Sequence, residues 1–264
     1  MSGVGAALVA CEALLVRDLR AFVRSRSQLY SSLLLPLMLL AILGTGVTEG
    51  LDPSRVPDGD YVTYLVPGII AMTALFSSTF SGASFYQDRD SGMLQVILAA
   101  PHSPRVAALG KSLSATAIGS IQALVVLLIA VIYPAIHLEW QFGLGASVLL
   151  ALAAILLVNV FLAGLGQALA SRIRTMQGFH LIMNLVLFPL LFLSGAFFPL
   201  ADLPEWLRTM ARLDPLSYGV DLLHLALRAE SSEGYFGLQI DLPVLGALAV
   251  AVFYWGTRRH PAAP

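Results

Sequence analysis

Six stretches of this sequence, residues 30–47, 64–85, 112–133, 144–169, 178–198 and 242–256, contain no Asp, Glu, Lys or Arg. A membrane-crossing helix needs ~20 mostly apolar residues, and a charge at mid-bilayer costs ~2.5–3.5 kcal/mol on insertion scales. Such uncharged runs therefore point to an all-α membrane protein with six transmembrane helices. The sixth run is short unless it begins near Gly237 and carries Asp241 at its edge. Over the whole chain of 264 residues, 58 % are hydrophobic and only 12 % charged, about half the charge of a soluble domain. That composition excludes a soluble globular enzyme and a disordered chain. A net charge of -1 with no basic block excludes a nucleic-acid binder. The single cysteine, Cys11, excludes an intrachain disulfide scaffold and a multi-cysteine metal site.

Basic residues set the expected orientation. With the N-terminus inside, eleven basic residues fall on the inner side, among them Arg17, Arg20, Arg24, Arg26, Arg89, Arg105 and Lys111. Four (Arg55, Arg208, Arg212 and Arg228) fall outside. The sequence thus predicts an N-in, C-in, six-span protein. The first basic residue is Arg17, too late for the charged start of a cleavable signal peptide.

Three segments are not spans. Residues 6–26 carry Leu8, Leu15, Leu19 and Phe22 on one helical face and Arg17, Arg20 and Arg24 opposite, the pattern of an amphipathic helix on the inner leaflet. It reads as a topogenic anchor or as a helix that also touches a soluble partner. Residues 86–105 begin with Asp88, Arg89 and Asp90, turn at Gly92, run apolar to Ala100 and stop at Pro101 and Pro104. A short helix at the membrane surface fits them. Residues 199–238 hold two amphipathic helical patterns, with Pro204 and Pro215 at their starts. These are too interrupted to span. Trp206 and Tyr218 suit headgroup-level anchors. The acidic loop 49–60 carries turn signals and no functional motif.

The stretches DRDSGMLQVILAAPHSPRVAALGK (88–111) and SGAFFPLADLPEWLRTMARLDPLSYGVD (194–221) give the chain a family likeness over nearly its whole length. The first is similar to the family's acidic-basic, Gly, Leu, small-Pro pattern after the second span. The second is similar to its "SG-x-x-x-P … LP-x-W … NPL-x-Y" signature after the fifth. The chain resembles the integral-membrane permease of ABC type 2 exporters, the drug, lipid and polysaccharide export permeases of bacteria. The resemblance implies a dimer of two permeases, here expected to be identical, in the bacterial inner membrane, with two cytoplasmic ABC ATPase subunits below. It divides the chain into a connecting helix (1–29) and a six-span domain (30–264). A coupling helix lies at about 88–100 and two extracellular re-entrant helices at about 203–228. The ATPase-coupling residues it implies are Arg17, Arg20, Arg24, Asp88, Arg89, Gly92, Gln95, Pro101 and Arg105. It also implies that Phe197, Phe198, Pro199, Trp206, Pro215 and Tyr218 serve the substrate path or outer gate. Gln95 stands where the family often has Glu, which puts an ion pair with the ATPase there in doubt. Asp214 replaces the usual Asn before Pro215.

Gly110-Lys111-Ser112 imitates the end of a phosphate-binding loop, but Arg105 occupies the position of its first Gly. Lys111 therefore reads as a snorkelling lysine at a helix start. No ATP site, catalytic residue or metal site is expected in the chain, and ATP and Mg would bind the partner. Gln122, Asn159, Gln167, His180 and Asn184 lie inside spans. They serve either interhelical hydrogen bonds, worth ~0.6 kcal/mol on average, or a substrate path, for which Gln122, Asn159 and Asn184 are the candidates. Gly164 and Gly166, with Ala163, and Ser78 with Gly82 offer small faces for close helix approach. The function expected is the permease subunit of an ATP-driven exporter of a hydrophobic or amphiphilic substrate such as a drug, lipid or lipid-linked glycan. The alternatives are an ion-coupled transporter, disfavoured by the uncharged spans, and a non-transporting membrane subunit.

Overall fold

A computed structural model of the chain describes residues 3–50, 61–93, 104–134, 136–228 and 235–258. Gln95, Pro101, the rest of the expected coupling helix beyond Met93, and most of the loop 49–60 lie outside the described residues. Nine α-helices make up the described fold: α1 (Gly3–Arg24), α2 (Arg26–Gly50), α3 (Tyr61–Asp90), α4 (Pro104–Ile132), α5 (Leu144–Ala170), α6 (Met176–Leu193), α7 (Glu205–Leu213), α8 (Pro215–Leu227) and α9 (Leu238–Arg258). Helices α2, α3, α4, α5, α6 and α9 are long and apolar enough to cross a membrane. The chain is a multi-pass membrane protein.

Helix α3 is the buried centre, packed against α2, α4, α5, α6 and α8. Its side chains from Tyr64 to Leu75 are almost all buried. Helix α5 packs on α3, α4, α8 and α9. Gly164 makes the α5–α9 contact possible, because a Cβ there would lie 2.7 Å from backbone atoms of Phe253. Small residues thus supply the approach that the sequence anticipates on span four. Helices α2 and α6 keep broad apolar faces exposed, including Leu34, Met38 and Ile42 on α2 and Leu181, Leu185 and Phe192 on α6. Inside a bilayer such faces meet acyl chains or another helix.

Local chemistry sets the helix ends. Thr175 caps α6 by accepting the Gly178 N–H at 3.1 Å. Asp214 caps α8 by accepting the Leu216 N–H at 2.8 Å, with Pro215 in the first turn. Gly92, at φ 73°, follows the end of α3. Helix α6 stops at Leu193, five residues before the end of the uncharged run. Gly195 takes φ 82° there, a left-handed conformation that turns the chain out of the helix. Helix α9 starts at Leu238 and includes Asp241, as the longer version of the sixth span requires.

Helix α1 lies against α4. Phe22 is buried, but Leu8 is 67 % exposed. The face against α4 is built from Cys11, whose Sγ lies 3.5 Å from the Val106 carbonyl, from Leu14, which lies over Gly110, and from Asp18. Leu14 and Cys11 pack over the small residues at the start of α4, and Asp18 reaches Lys111 at the edge of that contact.

Candidate functional site

Charged side chains converge at the end of the bundle that holds α1. The Arg17 guanidinium is 2.7 Å from Asp18 and 2.8 Å from Asp88. Lys111 pairs closely with Asp88, lies 3.7 Å from Asp18, and donates to the Ser84 hydroxyl at 3.1 Å. Two acids and two cations from α1, α3 and α4 thus balance one another. Exposed pairs of this kind contribute ~0–1 kcal/mol. Here the Lys111 side chain is only 7 % exposed, and removing one partner from a buried cluster costs ~3–5 kcal/mol. Burial pulls the Arg17 pKa down, but its hydrogen bonds to Asp88 and Asp18 and their charges hold it above its ordinary value.

This geometry corrects the sequence reading of Lys111. It is not a snorkelling side chain but the buried hub of an ion cluster. Its partners stand 23 to 93 positions earlier in the chain, beyond any local signal. Arg17 and Asp88 are likewise engaged with each other, and Asp88 is shared between Arg17 and Lys111. Arg20, Arg24, Arg89 and Arg105 are exposed at the same end. Arg89 also donates to the Arg174 carbonyl at 3.3 Å, tying α3 to the α5–α6 turn. The Arg172 guanidinium lies 3.9 Å over the Trp255 ring, which brings the last turns of α9 to this same end.

The interior polar residues divide. Gln122 donates to the Ser32 hydroxyl between α4 and α2. Asn159 donates to the Ile155 carbonyl at 2.8 Å, and its Oδ1 fills the space left by Gly119. Both are buried, at 2 % and 3 % exposure; Gln122 bonds α4 to α2, whereas Asn159 bonds within α5 and packs against α4. Asn184 is exposed on α6. It lines a crevice between α3 and α6 with Phe76, Thr79, Leu187 and Phe188. That lining joins an apolar wall to two hydrogen-bonding groups.

The opposite end carries the α7–α8 hairpin. Tyr61 donates to the Phe197 carbonyl at 3.0 Å, and Tyr64 donates to the Gly195 carbonyl at 2.7 Å. The Tyr64 ring stacks on His224 of α8 at 4.7 Å, and Arg228 lies 5.0 Å above the same ring. Burial, with the Arg228 charge beside it, pushes the His224 pKa down to about 3, so the imidazole is neutral. Asp221 accepts the Tyr235 and Phe236 N–H groups, each at 2.9 Å, which fixes the entry to α9. The Tyr218 hydroxyl donates to the Arg212 carbonyl at 2.6 Å and closes the hairpin on itself. Pro199 precedes the short turn Leu200–Asp202 and Pro215 opens α8. Phe197 is buried, while Phe198 and Trp206 are exposed at 56 % and 63 %. Sequence reasoning passed over Tyr64, His224 and Arg228. The available signal was a polar or charged group at three- and four-residue spacing on otherwise apolar helices.

The sequence profile of the ABC-2 type transporter family matches residues 9–227, from α1 to the end of α8. The chain belongs to that family. It is an ABC-2 permease, a membrane component of a transporter and not its catalytic subunit. Nodulation protein J of Rhizobium meliloti strain 1021 is 28 % identical over 229 residues, covering 83 % of this permease and 80 % of the relative. A putative transport permease, ycf38, of Cyanophora paradoxa is 28 % identical over 195 residues, 73 % of this chain and 65 % of that one. The probable multidrug ABC transporter permease YbhR of Escherichia coli strain K12 is 25 % identical over 167 residues. That match takes in 63 % of this permease and only 44 % of YbhR. The family match over residues 9–227 takes in the ion cluster, the α3–α6 crevice and the hairpin together.

Proposed function

We propose that this permease is the membrane subunit of an ATP-driven exporter that moves a hydrophobic or amphiphilic substrate out across the bacterial inner membrane. In this reading the α1 end is cytoplasmic, the hairpin end faces outward, and two permease copies stand over two ABC ATPase subunits. The observation that carries it is the charged platform at the α1 end. There α1, α3 and α4 are bound into one unit by ion pairs, and Arg20, Arg24, Arg89 and Arg105 project from its exposed surface. A soluble acidic or polar partner suits that surface.

The α3–α6 crevice, which as it stands has room for only about one water molecule, would have to widen for this chain to meet substrate there. Phe76, Phe188 and Leu187 offer dispersion contact, and Thr79 and Asn184 offer hydrogen bonds, without any charge. Such a wall suits a drug, a lipid or a lipid-linked glycan better than a highly charged solute. The hairpin would act as the outer gate. Its closed state is held by the Tyr61 and Tyr64 hydroxyls and by the Tyr64–His224 stack, and opening requires those contacts to part. The chain's own contribution is to bind, to transmit force and to gate, and hydrolysis belongs to the partner.

Copurification tests this. The tagged chain, extracted from its own host in mild detergent, should bring down a Walker-motif ATPase in equal number with Mg-ATP hydrolysis in the eluate. A chain recovered without an ATPase would overturn the proposal and favour an ion-coupled transporter or a non-transporting subunit.

A further inference from the structure

The ion cluster does more than hold the fold. The ammonium of Lys111 touches acceptors on two other helices: Asp18 on α1, and Asp88 with Ser84 on α3. Its own helix, α4, is the one against which α1 packs. Arg17 closes the ring by bridging Asp18 and Asp88 at 2.7 and 2.8 Å. Every carboxylate in the ring therefore meets two cations. A displacement of α1 along α4 must break ion contacts that are mostly out of water, whereas a joint movement of α1, α3 and α4 breaks none. Buried charges of this kind resist separation because each leaves a desolvated partner behind. Lys111 is also the only lysine among the chain's 15 basic residues.

We propose that Lys111 is a positioning residue for energy coupling: it clamps Asp18 of α1 and Asp88 of α3 to α4, so that force delivered to α1 by a bound ATPase reaches both spans as one rigid body. This rests on the ATPase-docking reading above. Two arrangements are implied: the clasp closed, with the three helices moving together, and the clasp open, with α1 sliding while the spans stay still.

The experiment uses the complete complex of permease and ATPase, purified from its host and assayed with Mg-ATP alone. Three forms are compared: wild type, K111R, and the double variant D88N/K111M, which removes one charge of each sign and so leaves no unpaired ion. Both variants should recover the ATPase at wild-type stoichiometry. K111R should keep maximal turnover within about twofold, and D88N/K111M should lose about tenfold in maximal turnover with an unchanged KM for ATP. An unchanged KM with a lowered maximum separates transmission from nucleotide binding. Wild-type turnover in D88N/K111M would overturn the proposal. So would loss of the ATPase from that variant's complex, because the cluster would then serve assembly alone. If wild type itself recovers no ATPase, the exporter reading fails and the coupling role goes with it, an outcome distinct from a variant that turns over normally.

Discussion

Asp214 gives the sharpest quantitative test of the hairpin. Its side chain is 5 % exposed, and one oxygen accepts the Leu216 N–H at 2.8 Å. Burial pushes its pKa up to about 8, against the opposing pull of the Leu216 amide and the Ser217 hydroxyl. The folded state therefore keeps the proton until about pH 8, whereas an exposed chain releases it near 3.8. The unfolded state binds fewer protons throughout that window, so stability falls as pH rises from about 4 to about 8 and levels off above it. By pH 7 about three units of that window have been crossed, which corresponds to about 4 kcal/mol. Asp214→Asn keeps the capping acceptor and cannot ionise. The assay is the Tm of the detergent-solubilised permease at pH 5, 6, 7 and 8. Wild type should melt progressively lower with pH, and the Asn variant should follow a shallower slope and melt several degrees higher at pH 8. Asp214→Ala, which loses the cap, should melt lower than Asn at every pH by the equivalent of about 1 kcal/mol. Parallel wild-type and Asn curves would refute the buried-acid account.

Three further outcomes follow from the geometry. Tyr64→Phe keeps the stack on His224 but strips the bond to the buried Gly195 carbonyl. It should cost about 1–3 kcal/mol in thermal unfolding, and an unchanged Tm would contradict the role of that bond. Gly164→Ala places a Cβ 2.7 Å from the Phe253 backbone and should cost about 1–3 kcal/mol, while Gly246→Ala, which meets nothing within 4 Å, should not destabilise. Equal Tm changes in the two variants would count against the close α5–α9 contact. Arg20→Glu with Arg24→Glu should abolish ATPase copurification at normal membrane abundance, and retained copurification would remove these arginines from the docking surface.

The spans were legible because the bilayer imposes one simple demand, ~20 residues without charge, and six runs meet it. The hairpin helices were legible from Pro204 and Pro215 and from their apolar spacing, and observed bounds of Glu205–Leu213 and Pro215–Leu227 lie close to the expected ones. The end of α6 was not. Residues 194–198 are apolar or small enough to continue the helix. What stops it is the backbone at Gly195 together with two tyrosine hydroxyls from α3, more than 130 positions away. Lys111 illustrates the same limit for a charge. A lone lysine at a helix start looks the same whether it reaches water or two carboxylates, and only the packing of α1 on α4 decides. Gln122 and Asn159 carried two readings in the sequence, and the described helices place both in interhelical contacts. Asn184, with the same side-chain chemistry as Asn159, faces an open crevice.

The central claim is that an ATPase docks on the α1 end and drives this permease from there. Its most direct test is a photo-crosslinkable residue placed singly at Arg20, Arg89 or Trp206 in the native host. The account predicts an adduct with a nucleotide-binding subunit from positions 20 and 89 and none from 206. Adducts from 206, or none from 20 and 89, would contradict it.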